Sequence, residues 1–256
     1  MPLTLPPAHE HLTFMSPMSQ ARADGLVDFL TRDLPHDATV LDLGCGWAEL
    51  LLQAVAAHPS CRGIGVDTNE VSLAHGTDLA AARGLTERVE LLAADARTAG
   101  PPAADAVICV GASHIWQVES AEPQPIPYEA ALTALRERTV RGGRVVYGEG
   151  IWSRPPTPQA TAPLAGRLDE FGSLAELAEI ATRSGFAPVI VSEADQGEWD
   201  EFESGYLAGH ARWLAEHPAD HPDADEVRQR AARQRAAYLG GYRGILGLAY
   251  LGLVAV

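Results

Sequence analysis

Short apolar runs recur along the chain, each closed by Gly, Asp or Pro and each followed by residues with helical spacing. Runs at residues 39–43, 63–67, 89–92, 106–110 and 144–149 have the length and branched content of strands buried on both faces. Between them the period changes, which predicts helices running to Ala57, to about Gly84 and over 128–139. An earlier helix over 19–34 shows its apolar stripe at Ala21, Leu26, Phe29 and Leu30. Strands alternating with helices in this way build a parallel sheet covered on both faces, a doubly wound α/β fold. Past a loop carrying Pro155, Pro156, Pro158 and Pro163, a helix at 173–184 and a strand at 187–192 resume the alternation. Two charged helical stretches, 198–216 and 223–242, then precede an apolar run at 246–256 that reads as a last strand. No repeat or low-complexity linker divides the chain, so one domain over 1–256 is expected. Its parts are an arm and helix (1–35), a core (38–192), a helical insertion (198–242) and a last strand (246–256).

Composition narrows the function classes. No apolar run reaches the ~18 residues of a membrane span. The opening Met1-Pro2-Leu3-Thr4-Leu5 lacks the basic start of a secretion signal, so a cytoplasmic protein is expected. Thirty-four acidic residues against 19 basic ones give a formal charge of -15, a field that repels phosphate backbones and anionic membranes. Neither nucleic acid nor membrane is an expected partner. All the basic residues are Arg, which excludes a Schiff-base lysine and the Gly-Lys-Ser/Thr phosphate loop. Cys45, Cys61 and Cys109 lack paired metal spacing, so reduced thiols and no metal site are expected.

The most informative segment is Val40-Leu41-Asp42-Leu43-Gly44-Cys45-Gly46-Trp47-Ala48. A glycine turn directly after the first strand lets backbone N–H groups approach a ligand, and the next helix aims its N-terminus there. A nicotinamide fingerprint would place a third glycine where Glu49 stands. Asp42, two residues before the first glycine, suits a ligand with an amino group and no pyrophosphate. Asp67 ends the second strand, where a carboxylate accepts ribose hydroxyls. Asp95 follows the third strand, where an acid accepts an adenine amino group. Three acids at the carboxyl ends of three successive strands face one crevice.

These segments resemble the class I S-adenosylmethionine-dependent methyltransferases over about residues 38–192. The resemblance implies a Rossmann-like, doubly wound sheet of seven strands, mostly parallel with a reversed C-terminal strand, plus a helical insertion or lid. It implies S-adenosyl-L-methionine as cofactor, with contacts from Asp42, Gly44, Cys45, Gly46, Asp67, Thr68, Asp95, Ala96, Val110 and Gly111. The segment Val110-Gly111-Ala112-Ser113-His114 matches the lining of the methyl-transfer site, and Arg141-Gly142-Gly143-Arg144 matches the turn before strand five. Trp47 departs from the pattern, standing where a third glycine is often found. The Ser16-Pro17-Met18-Ser19-Gln20-Ala21 arm and the Gly148-Glu149-Gly150-Ile151-Trp152 loop resemble a small-molecule branch of bacterial methyltransferases. That branch implies transfer to O or N of a metabolite by a monomer or homodimer.

Within that frame His114 is the candidate general base, or else a histidine that bonds locally. Glu149 is expected to orient the acceptor or share the base role, or else to cap a nearby helix. Trp116 and Trp152 either wall the acceptor or pack under loops, and Met15 and Met18 of the arm are expected at the acceptor. Two other classes stay open: a chain that keeps the cofactor pocket for another reaction, such as a cyclisation, and one that only binds. A nicotinamide oxidoreductase is disfavoured by Glu49 and Asp42.

Overall fold

The computed structural model describes residues 5–120 and 122–256; the first four residues of the expected arm lie outside the described residues. The strands are β1 (Thr39–Leu43), β2 (Arg62–Asp67), β3 (Val89–Ala93), β4 (Ala104–Val110), β5 (Thr139–Trp152), β6 (Phe186–Glu193) and β7 (Leu246–Ala255). They form one seven-stranded sheet in the order β3-β2-β1-β4-β5-β7-β6. Pairs among β1 to β5 are parallel, while β7 runs antiparallel between β5 and β6. From β1 the chain winds outward to β3, then returns to β4 on the other side of β1. The crevice therefore opens at the carboxyl ends of β1 and β4.

The helices are α1 (Gln20–Thr31), α2 (Glu49–Ala57), α3 (Glu70–Ala82), α4 (Tyr128–Glu137), α5 (Pro158–Thr161), α6 (Leu174–Arg183), α7 (Gln196–Glu216) and α8 (Ala224–Ala237). Side chains alternate across each strand, so β1 feeds two cores. Val40 packs with α1 and α2, whereas Leu41 and Leu43 pack with α4 and α6. Asp42 shares the face of Val40. Local chemistry sets the helix starts: Ser19 caps α1, Asn69 caps α3, and Ser173 with Glu176 closes a capping box on α6. No described helix is long and apolar enough to cross a membrane.

Three expectations change in detail. Strand β5 spans 14 residues to Trp152, because its far half pairs with β7 from Gly148↔Tyr250 to Trp152↔Leu246. Glu149 therefore lies inside the strand, not at its end. The Arg141-Gly142-Gly143-Arg144 segment is a kink within β5, where the pairing with β4 shifts register, instead of a turn before it. The helix expected over 223–242 ends at Ala237 and loosens into one π-turn at Tyr238–Tyr242, which holds Gly240 and Gly241.

Candidate functional site

Three residues after β1 take left-handed backbone: Gly44 (φ 75°), Gly46 (φ 55°) and Ala48 (φ 60°). They reverse the chain into α2 with no side-chain cap on that helix. The N–H groups of Gly44 and Cys45 donate to the Val66 carbonyl at 2.8 and 3.1 Å, and Gly46 N–H donates to Asp67 Oδ2 at 2.8 Å. A Cβ on Gly44 would overlap the Ala112 methyl, and one on Gly46 would overlap the Met15 sulfur. The turn is bare because the loop after β4 and the N-terminal arm both press on it.

Between turn and arm lies a cavity of about 460 Å³ of empty space, part of it open to solvent. Asp42, Gly44, Cys45, Gly46, Ile108 and Val110 line it from the sheet, Glu49 and Leu50 from α2, and Phe14, Met15, Ser16 and Met18 from the arm. Asp42 is 4% exposed, and burial first, then the neighbouring Asp67, push its carboxyl up to about 8. No described residue donates a hydrogen bond to it, so the cavity holds an acceptor that the protein leaves unmet. Asp67 differs: it accepts from the N–H groups of Gly46 and Asn69, both at 2.8 Å. Burial, then Asp42 and Asp67, push the Cys45 thiol upward, which keeps it neutral and unreactive.

The remaining cofactor candidates lie outside the lining of this cavity. Gly111 (φ 68°) follows β4, its N–H donating to the Gly148 carbonyl at 2.8 Å. Thr68 is exposed. Asp95 lies beyond β3 and binds the Arg97 guanidinium at 2.9 and 2.7 Å, a pairing that holds its carboxyl below the usual range. Ala96 is buried in the core of α4 and α6.

His114 is exposed on the short 3₁₀ turn Ser113–Trp116. Glu149 is 6% exposed, and its oxygens accept from Ser113 N–H at 2.9 Å and Gly150 N–H at 2.8 Å. By strand alternation it shares the face of Tyr147 and Ile151, opposite to the face of Asp42. The Tyr147 hydroxyl lies 2.6 Å from Ser113 Oγ, so the turn rests on two buried polar contacts. Trp116 is half-buried against that same core. Trp152 donates its indole N–H to the Leu168 carbonyl at 2.9 Å and meets Phe171 edge-on at 5.1 Å, under the loop that follows β5.

Of the expected site residues, the structure thus gathers Asp42, Gly44, Cys45, Gly46, Val110, Met15 and Met18 around one cavity. It places Glu149, Trp116 and Trp152 outside that lining. Phe14, Trp47, Leu50 and Ile108 join the lining without having been expected. A signal existed for Ile108, which has the strand parity of Val110 and pairs with Asp42. Among the described residues no group of three or more His, Cys, Asp or Glu side chains could hold a metal ion.

No curated protein matches the sequence. The family profile described as "Methyltransferase domain" matches residues 40–124, from β1 to just past the turn after β4. Among solved structures the chain is similar to an S-adenosylmethionine-dependent methyltransferase from Geobacter sulfurreducens in complex with S-adenosyl-L-homocysteine. The TM-score is 0.82 and the identity 26%, over 97% of this chain and 96% of that one. A second such complex, from Thiobacillus denitrificans, aligns with TM-score 0.81 and 26% identity over 97% and 96%. The Escherichia coli protein YjhP aligns with TM-score 0.80 and 25% identity over 97% and 98%. The [4+2]-cyclase SpnF, at 22% identity and TM-score 0.62, shares the fold.

Proposed function

We propose that this chain, a class I S-adenosylmethionine-dependent methyltransferase, transfers the methyl group to an oxygen or nitrogen of a small-molecule metabolite. When bound, the cofactor supplies an electrophilic methyl group on a sulfonium. The protein's share of the work is therefore binding, alignment and exclusion of water. Asp42 is the observation that carries this reading: a buried acid without a protein donor, lining one cavity with the glycine turn. It is the natural acceptor for the amino group of the cofactor's methionine part. Gly44, Cys45 and Gly46 offer bare backbone beside it. Asp67, with Thr68 next to it, takes the ribose hydroxyls, and Asp95 with Ala96 takes the adenine. Val110 and Gly111 line the path from cofactor to acceptor.

Phe14, Met15 and Met18 cover the cavity from the arm, which favours a small acceptor over a polymer. The charge of -15 supports the same choice, against nucleic acid or membrane. We assign the base role, for acceptors that must lose a proton, to His114. Glu149 acts through its hold on Ser113, by positioning the turn that carries His114; Trp116 braces that turn, and Trp152 braces the loop that follows β5. The enzyme works as a cytoplasmic monomer or homodimer in this reading.

The test uses the purified chain, isotopically labelled S-adenosylmethionine and a panel of hydroxylated and amine metabolites, read by mass spectrometry. Transfer predicts a labelled methylated product with an equal amount of S-adenosylhomocysteine. Tight cofactor binding without either product, for every acceptor, would leave a binding or non-methylation role.

A further inference from the structure

Trp47 lies within the glycine turn, and its two ends face different partners. Its backbone belongs to the turn that lines the cavity. Its side chain, in a residue 4% exposed, reaches the arm, where the indole N–H donates to the Thr13 carbonyl at 2.7 Å. His9 of the arm stacks on His75 of α3, with ring centroids 3.8 Å apart and planes 11° apart. Both imidazoles stand edge-on to Trp47, at 6.1 and 6.2 Å. Just beyond Thr13, Phe14 and Met15 roof the cavity, with Met15 seated on Gly46.

The arm has other anchors, but they lie away from the turn. Leu12 fills the notch left by Gly205 on α7, the Tyr250 hydroxyl of β7 donates to the Pro17 carbonyl at 2.8 Å, and Ser19 is held by Glu198 of α7. These fix the arm to the insertion and to the last strand. Trp47 is the anchor that belongs to the cofactor turn itself. A side chain without the indole would lose this fastening.

We propose that Trp47 is a positioning residue: with His9 and His75 it forms a clasp that holds residues 9–18 closed over the cofactor, and cofactor exchange waits on its release. The proposal rests on the assignment of the cavity to the cofactor. Because one residue serves both turn and arm, coupling runs both ways: a ligand that orders the turn tightens the arm, and a firmly held arm retains the ligand. Losing the clasp therefore speeds dissociation more than it disturbs the core.

Two measurements on the full chain test this: amide hydrogen exchange of residues 9–18, and the dissociation rate of S-adenosylhomocysteine by stopped flow. The variants are Trp47→Phe, which keeps a ring but deletes the donor, and His9→Ala, which leaves the turn untouched. His36→Ala, whose side chain is 81% exposed, is the control. Loss of one buried hydrogen bond predicts about a fivefold faster dissociation in Trp47→Phe. Exchange of residues 9–18 rises in both variants, while β1 and β4 keep their protection and the control matches wild type. In wild type the ligand slows arm exchange further, and in Trp47→Phe that added protection is lost. Should Trp47→Phe fail to fold, His9→Ala carries the test. Wild-type rates and wild-type arm exchange in the variants would overturn the clasp. If the wild type bound no S-adenosylhomocysteine, the cavity assignment would fall instead, and arm exchange in the ligand-free chain would still decide the clasp.

Discussion

Asp42 and Asp67 sit on paired strands and carry the same chemistry, yet the fold treats them differently. Asp67 is met by two backbone N–H groups, while Asp42 is buried with none and is pushed up to about 8. In the ligand-free protein Asp42 therefore keeps a proton that the unfolded chain, with its ordinary value of 3.8, gives up. Its contribution to stability is full at acid pH and is lost as pH rises through about 8. A cationic amino group in the cavity reverses the preference by favouring the carboxylate. Binding of S-adenosylhomocysteine is predicted to tighten as pH rises from 6 toward 8 and to release a proton, which calorimetry in two buffers of different ionisation enthalpy reads directly. Asp42→Asn should flatten that dependence and weaken binding by about ten- to a hundredfold, the worth of a charge-assisted hydrogen bond. Affinity independent of pH in the wild type would count against this. Glu149 invites a different experiment. Glu149→Gln turns an amide NH₂ toward the Ser113 or Gly150 N–H, costing about 1–3 kcal/mol. The expected outcome is a lower melting temperature with an unchanged shape of the pH–rate profile. A lost basic or acidic limb at unchanged stability would make Glu149 the base.

Among the elements, α7 and the arm are joined through Glu198. Burial works against its charge, but hydrogen bonds from Arg22 and Ser19 outweigh that and hold the carboxyl at about 2, against an ordinary 4.5. This depressed value gives stability that is present above pH 4.5 and lost as pH falls toward 2. Glu198→Ala takes the counter-ion from the Arg22 guanidinium and removes the reciprocal cap at Asp195, so urea unfolding should show a loss of about 3 kcal/mol. A loss well under 1 kcal/mol would show the pair to be worth no more than a surface contact. How far such elements could be read in advance depends on where their determinants lie. Strand β1 was legible to the residue, because Thr39-Val40-Leu41-Asp42-Leu43 is bounded by turn chemistry next to it, and the starts of α1 and α6 followed from Ser19 and Ser173. The glycine turn at 44 and 46 was legible for the same reason, as were the places of Asp42 in β1 and of Asp67 at the end of β2. The end of β5 was not, since Trp152 is strand only because distant Leu246 pairs with it. Nor was the arm, whose place is set by Glu198, Gly205 and Tyr250, residues far along the chain. Residue type left Trp116 and Trp152 either walling the acceptor or packing under loops, because only tertiary packing tells an aromatic wall from an aromatic brace.

At the level of the whole molecule, the sheet order brings the carboxyl ends of β1 and β4 together, and the ends of the chain complete what the sheet begins. The arm enters from the N-terminus and is clamped by α7 and β7 from the C-terminus. The cavity is thus bounded by segments that no local stretch of sequence contains. Such closure explains how a turn built for close approach is shielded from water without a separate domain. The most direct test is a diffraction structure of the chain with S-adenosylhomocysteine. It should show the ligand between the Gly44–Ala48 turn and the arm, with its amino group within hydrogen-bond distance of Asp42 and its ribose at Asp67. A ligand held elsewhere, or one in this cavity with Asp42 still unmet, would contradict the account.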